Sequence, residues 1–249
     1  MCKKMMMNGL ILFGLLAGSS LFASELPGHG DLQAALKKIV KETNGGFGLN
    51  MWATVVDRDG VVQTVVHSGG DRGDQWPGSR VISAQKANTA NAFSLPGLAL
   101  STANLFYAVQ PGGSLFGLQH SNPVDTGVAY GGNSNNIGTK NDPMCGKKIG
   151  GVNVFGGGLA LYGKDGKLLG AVGVSGDSSC ADHNIAWKLR HALELDYIPG
   201  GISPTKDDNI VNDIVDGVST SGWGHPICAA GAADIAKGFP ETHPIRKVK

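Results

Sequence analysis

Charge, aromatic rings and cysteine are all scarce in this 249-residue chain: 16% of residues are charged, 6% aromatic, and four are cysteines. Scarce charge alone does not mean disorder, because 41% of the chain is hydrophobic and a core can form. A nucleic-acid partner is excluded, since neutralising phosphates takes a clustered basic face. The one basic run, Arg246-Lys247-Val248-Lys249, sits at the tail and reads as a solvated end. No apolar stretch approaches the roughly 20 residues needed to span a bilayer. Motifs are missing too. There is no H-E-x-x-H, C-x-x-C or C-x-x-C-H, which removes the usual warrants for a zincin, a thioredoxin-like redox pair or covalent haem. No G-x-S-x-G elbow is present, so a serine hydrolase is not expected. The run from Gly158 to Asp165 approximates a phosphate loop but lacks the closing Ser or Thr and sits in a hairpin, not before a helix.

What is present begins with an export signature. Lys3 and Lys4 precede the apolar run from Gly9 to Gly18, and the small residues Ser19, Ser20, Ala23 and Ser24 follow. This order predicts a cleavable signal peptide over residues 1–23 and a single domain over 24–249, periplasmic or secreted, with no membrane anchor after cleavage. Removing Lys3 and Lys4 from 21 basic residues leaves 19 against 20 acidic ones, a formal charge of −1. Three cysteines then remain in an oxidising compartment, where two are expected to pair. Cys180 opens a predicted helix and Cys228 lies in a Gly- and Pro-punctuated segment that needs anchoring. We therefore expect a Cys180–Cys228 disulfide, with Cys145 free.

Periodicity predicts a helix over 32–43 capped by Asp31, then strands over 49–56 and 61–66 joined by Asp57-Arg58-Asp59-Gly60. A helix over 79–93 follows, ended by Pro96-Gly97. A second hairpin pairs 158–162 with 168–174 across Lys164-Asp165-Gly166-Lys167. Ser179 and Asp182 form a capping pattern for a helix to about 195, with Ile185, Ala186, Leu189, Ala192 and Leu193 inward. Its other face carries His183, Trp187, Arg190, His191 and Glu194, expected outward. Residues 209–215 read as a last strand or helical turn. Between the hairpins, 111–151 form a long polar excursion of the kind that lines sites or contacts subunits.

Groups able to ligate a metal or haem iron are His67, Tyr107, His120, Tyr130, Met144 and His183. His120, in Gln119-His120-Ser121-Asn122-Pro123, and His183 are the candidate iron ligands. Trp187 and Arg190, with Tyr107 and Tyr130, complete the candidate cofactor-binding set. His67 with Asp71 and Asp74 is a weaker metal candidate, because the glycines among them suggest an ordinary loop.

Gly157-Gly158-Leu159-Ala160-Leu161-Tyr162, Asp165-Gly166, and Gly170-Ala171-Val172-Gly173-Val174-Ser175-Gly176, with Asp182 and Ala186 beyond, resemble the GlcG/HbpS haem-binding family. Val55-Val56-Asp57-Arg58-Asp59-Gly60-Val61-Val62 and Gln85-Lys86-Ala87-Asn88-Thr89-Ala90 resemble its first hairpin and second helix. The likeness spans about residues 31–195. It implies an α+β, profilin-like domain whose antiparallel sheet of about five strands is flanked by helices, assembling as a homo-oligomer. It implies non-covalent, b-type haem or a related tetrapyrrole as ligand, in haem sensing, sequestration or uptake. Two other readings stand beside it: a haem-degrading or other small-molecule enzyme in the same pocket, and a sensory or structural module without haem. No family iron ligand maps onto a matching position, and both the 111–151 excursion and the 202–249 extension depart from compact members.

Overall fold

The computed structural model describes residues 25–248; the expected signal peptide over 1–23 lies outside the described residues. In chain order the elements are α1 (His29–Ile39), β1 (Trp52–Asp57), β2 (Val62–His67), α2 (Ser79–Phe93), α3 (Leu118–Ser121), α4 (Thr126–Tyr130), β3 (Gly158–Tyr162), β4 (Leu168–Ser175), α5 (Ser179–Ala192), β5 (Ile214–Val215), β6 (Val218–Ser219), α6 (Ala230–Lys237) and α7 (Phe239–Thr242). Both hairpins and α2 form where the periodicity places them. α1 starts earlier than predicted, with Gly28 and not Asp31 at its N-cap.

The two hairpins merge into one antiparallel sheet of order β2-β1-β4-β3, because β1 pairs with β4 as well as with β2. The period of two along β1 sorts its side chains between two layers. Ala53 and Val55 face α1 and α5 in one core, while Trp52 and Val56 face α2 in another. Glycines in the sheet let α2 lie against the backbone. A Cβ at Gly173 would collide with the Ser83 carbonyl, and one at Gly158 with the Lys86 carbonyl and Thr102. The glycine-rich strand is thus the imprint of a closely packed helix.

The sheet has four strands, not the five expected. Beyond β3 there is one parallel bridge, Tyr162 to Asp196, before the chain turns away. Residues 209–215, a candidate strand, run mostly irregularly beside α5, and Ile214–Val215 pair only with Val218–Ser219 in a separate two-stranded ribbon.

The C-terminal extension brings the main correction. His183, Trp187 and Arg190 do not face outward: all three are buried, because the extension covers that face of α5. Phe239 stacks on Trp187 at 5.2 Å, and the Trp187 indole N–H donates to the His243 carbonyl at 3.0 Å. Arg190, fully buried, makes a bidentate pair with Asp208, both contacts 2.7 Å, and donates to the Ala160 carbonyl. The Cys180–Cys228 disulfide, Cα–Cα 5.8 Å, ties the extension to the start of α5, and Cys145 is free and half-buried. No helix among the described residues is long and apolar enough to cross a membrane.

Candidate functional site

The excursion is held by a buried ion pair. Arg80, in the first turn of α2, donates from Nε and Nη2 to Asp142 at 2.9 and 2.5 Å, and from Nη1 to the Ala129 carbonyl at 2.9 Å. Asp142 also accepts the Gly138 and Met144 backbone N–H groups at 2.8 and 2.9 Å. One guanidinium therefore fastens α4 and the 138–144 turn to α2. The returning chain is clipped to the edge of β2, where the Val62 N–H donates to the Lys147 carbonyl and the Gly146 N–H to the Val62 carbonyl. Ala129, Met144 and Ile149 complete the anchoring by burial against the α2 side of the sheet.

Held this way, the excursion leaves a half-open cleft of about 430 Å³ between residues 71–81 and 129–137. Trp52, Val81, Ala129 and Ile137 supply apolar wall, and the Trp52 indole N–H is satisfied by the Trp76 carbonyl at 3.2 Å. Tyr130, the last residue of α4, stands 72% exposed at the cleft, and exposed Arg72 lines it as well. Among the described residues the slot thus joins an apolar wall to the Tyr130 phenol and, at its rim, the Arg72 guanidinium beside Asp71.

The other candidates fall elsewhere. Tyr107 lines a second cleft, about 350 Å³, with Phe106, Ile214 and Pro226. His120 is exposed on the four-residue α3 and lines neither cleft. His183 accepts the Ile210 N–H at Nε2 (3.1 Å) and lies beside Asn209, inside the protein. Burial, aided by the Arg190 charge, pushes the His183 imidazole down to about 3. It is a neutral, fully buried core histidine whose Nδ1 has no hydrogen-bond partner among the described residues, and it lines none of the clefts described. His120 and His183 share no site. Met144 is core, and Trp187 and Arg190 belong to the buried extension contact. His67 bonds the Gly69 carbonyl and packs edge-on to Trp52, while Asp74 accepts the Gly70 and Asp71 N–H groups of its own loop. Trp52, Arg72, Arg80 and Asp142 were missed. Their signal is faint: an arginine in the first turn of a helix, and an aspartate in a polar excursion, look solvent-exposed until the fold pairs them.

An α+β sheet domain with a cleft between its long excursion and one flanking helix defines the class. The chain belongs to the HbpS-like family: the family described as "Haem degrading protein HbpS-like" matches residues 30–190, which include every residue lining the cleft. Among solved structures, the chain is similar to a PduOC:heme complex, at 25% identity and TM-score 0.46 over 67% of this chain and 94% of that one. It is similar to Klebsiella pneumoniae protein ORFY, at 26% identity and TM-score 0.44 over 66% and 86% of the two chains. A Streptomyces reticuli HbpS double mutant aligns at 18% identity and TM-score 0.42 over 74% and 97%. No curated protein matches the chain.

Proposed function

We propose that this protein binds haem or a related tetrapyrrole non-covalently in the Trp52–Tyr130 cleft, outside the cytoplasm, as a homo-oligomer that sequesters, senses or hands on its ligand. The observation that carries the reading is the donor set of the cleft: an apolar wall for a macrocycle, a Tyr130 phenol of the kind that ligates haem iron, and Arg72 for propionates. The sequence resemblance and the family description, "Haem degrading protein HbpS-like", support the ligand class. Bound haem would bring a redox-active, Lewis-acidic iron to the cleft. Tyr130 and Arg72 would hold and orient it, and Trp52, Val81 and Ile137 would cover an apolar face. Covalent attachment has no support: the free thiol among the described residues, Cys145, is pushed up to about 11 by burial and the nearby Asp142.

Haemin titration tests this, with a saturable Soret shift expected. Tyr130→Phe is expected to weaken binding by about tenfold or more, equivalent to ~1.4 kcal/mol or above, and to change the Soret position. His120→Ala and His183→Gln should leave both unchanged. A titration indistinguishable from that of a non-binding control protein would reject the reading. The family description favours a second reading, haem breakdown in the same cleft. Incubating the haem complex with a reductant separates the two: binding alone leaves the Soret band intact, and breakdown bleaches it with release of a linear tetrapyrrole.

A further inference from the structure

A second cluster, away from the cleft, joins Cys180 at the start of α5 to His225 and Cys228, which lie beyond the family-matched residues 30–190. Cys180, His225 and Cys228 place their Sγ and imidazole nitrogen atoms within 4.8 Å of one another. His225 Nδ1 lies 4.0 Å from Cys180 Sγ, and the Pro226 carbonyl faces the same centre, 2.7 Å from His225 Nδ1 and 3.5 and 4.0 Å from the Cys180 and Cys228 sulfurs. Two thiolates, one imidazole and a fourth donor make the ligand set of a tetrahedral, thiophilic divalent cation.

We propose that reducing the Cys180–Cys228 disulfide opens a binding site for one such cation, zinc being the type case, on Cys180 Sγ, Cys228 Sγ and His225 Nδ1, with the Pro226 carbonyl toward the fourth position. The disulfide and the metal site are alternative states of one cluster. In the oxidised chain the sulfurs are bonded to each other. About 2.3 Å Zn–S bonds at tetrahedral angles would separate them by ~3.8 Å, a small movement for Cys228, which sits on an exposed, irregular segment.

The surroundings are built for the reduced state as well. The Cys180 N–H donates to Cys228 Sγ at 3.1 Å and the Cys228 N–H to Cys180 Sγ at 3.2 Å, so each sulfur already has a backbone donor able to hold negative charge. Cys180 also lies in the first turn of α5, where the helix N-terminus favours a thiolate. The imidazole is oriented from behind. In the oxidised chain Nδ1–H donates to the Pro226 carbonyl at 2.7 Å and Nε2 accepts from the Ser179 hydroxyl at 2.8 Å, an oxygen itself fixed by the Gly156 N–H at 2.7 Å. Binding a cation at Nδ1 would release that proton and leave Nε2–H donating to Ser179 Oγ.

The electrons come from an external dithiol. Its thiolate attacks the exposed Cys228 Sγ and breaks the Sγ–Sγ bond, and the buried Cys180 departs as thiolate. The second thiol of the reductant then attacks its own sulfur in the mixed disulfide, freeing Cys228 as thiolate. The dithiol ends as a cyclic disulfide, its two protons pass to solvent, and the two protein thiolates receive the cation.

The test uses the full chain carrying Cys2→Ser and Cys145→Ser, so that only the paired cysteines contribute thiols. After reduction with a phosphine and removal of excess reagent, Co²⁺ is titrated in, followed by Zn²⁺. We expect one Co²⁺ per chain with thiolate-to-cobalt charge-transfer absorption, displaced by Zn²⁺, and no such band in the oxidised chain. His225→Ala should weaken binding at least tenfold, and Ser179→Ala by about tenfold, the usual effect of removing a group that orients a ligand. A reduced chain without the band, equal binding by the oxidised chain, or unchanged affinity in His225→Ala overturns the proposal. Circular dichroism runs alongside: binding only by a chain that has lost its native spectrum, and does not regain it with metal, overturns it too.

Discussion

Asp142→Ala is expected to lower the free energy of unfolding by about 3–5 kcal/mol, the usual cost of stripping one partner from a buried ion pair. The Arg80 side chain is 5% exposed and that of Asp142 0%, so the surviving guanidinium has little water to turn to and keeps one protein partner, the Ala129 carbonyl. The loss also orphans the Gly138 and Met144 N–H groups, which both end on the same carboxylate. Because this one carboxylate organises the 138–144 turn beneath the cleft, haemin binding should fall with stability. Urea unfolding at pH 7 reads the first effect and Soret titration the second. The double variant Arg80→Met, Asp142→Leu, which removes both charges, should be more stable than Asp142→Ala. A loss under about 1 kcal/mol in Asp142→Ala would mean the pair does not anchor the excursion, since that is the range of an exposed pair.

Acid should destabilise the fold through His183. Its folded value is about 3 against an ordinary 6.5, so between these limits the unfolded chain takes up a proton that the folded chain refuses. Stability contributed by the neutral imidazole is therefore complete above 6.5 and falls by ~1.4 kcal/mol for each pH unit below it, until the folded value is reached. Asp182 works in the opposite sense. Burial raises its carboxyl despite the Lys86 ammonium at 2.7 Å, so ionising it costs stability as pH rises toward its folded value. Comparing variants isolates the histidine, because Asp182 is common to both. In His183→Gln, whose amide oxygen can accept the Ile210 N–H, the stability lost between pH 7 and about pH 4.5 should be smaller by ~2.7 kcal/mol. Parallel pH profiles for the two proteins would place the proton uptake elsewhere.

Local pattern carried the two hairpins and α2, because strand alternation, turn glycines and helical spacing act over a few residues and need no partner to be read. The same holds for the glycines of the second hairpin, where Gly158 of β3 and Gly173 of β4 reflect backbone packed on backbone. A family likeness resting on those segments pointed to the fold and to the ligand class. The site was less legible. Tyr130 was among the candidates and lines the cleft, whereas His120 stands on an exposed turn and His183 is sealed in the core. Facing errors on α5 share one cause: a helix with polar residues on one side looks solvated, and only the chain that covers it shows otherwise. Here the 202–248 segment supplies Asp208 for Arg190, Asn209 and Ile210 beside His183, and Phe239 against Trp187. Likewise Arg80 and Asp142, 62 residues apart, become one buried pair only once the excursion folds back over α2. The sequence by itself thus determined the two hairpins and the bodies of α1, α2 and α5, which depend on short-range sterics and burial, whereas the β1–β4 pairing that merges the hairpins appeared only in the fold. The tertiary structure alone decided which polar groups are buried together, because charge pairing across distant segments leaves no periodic trace in the chain.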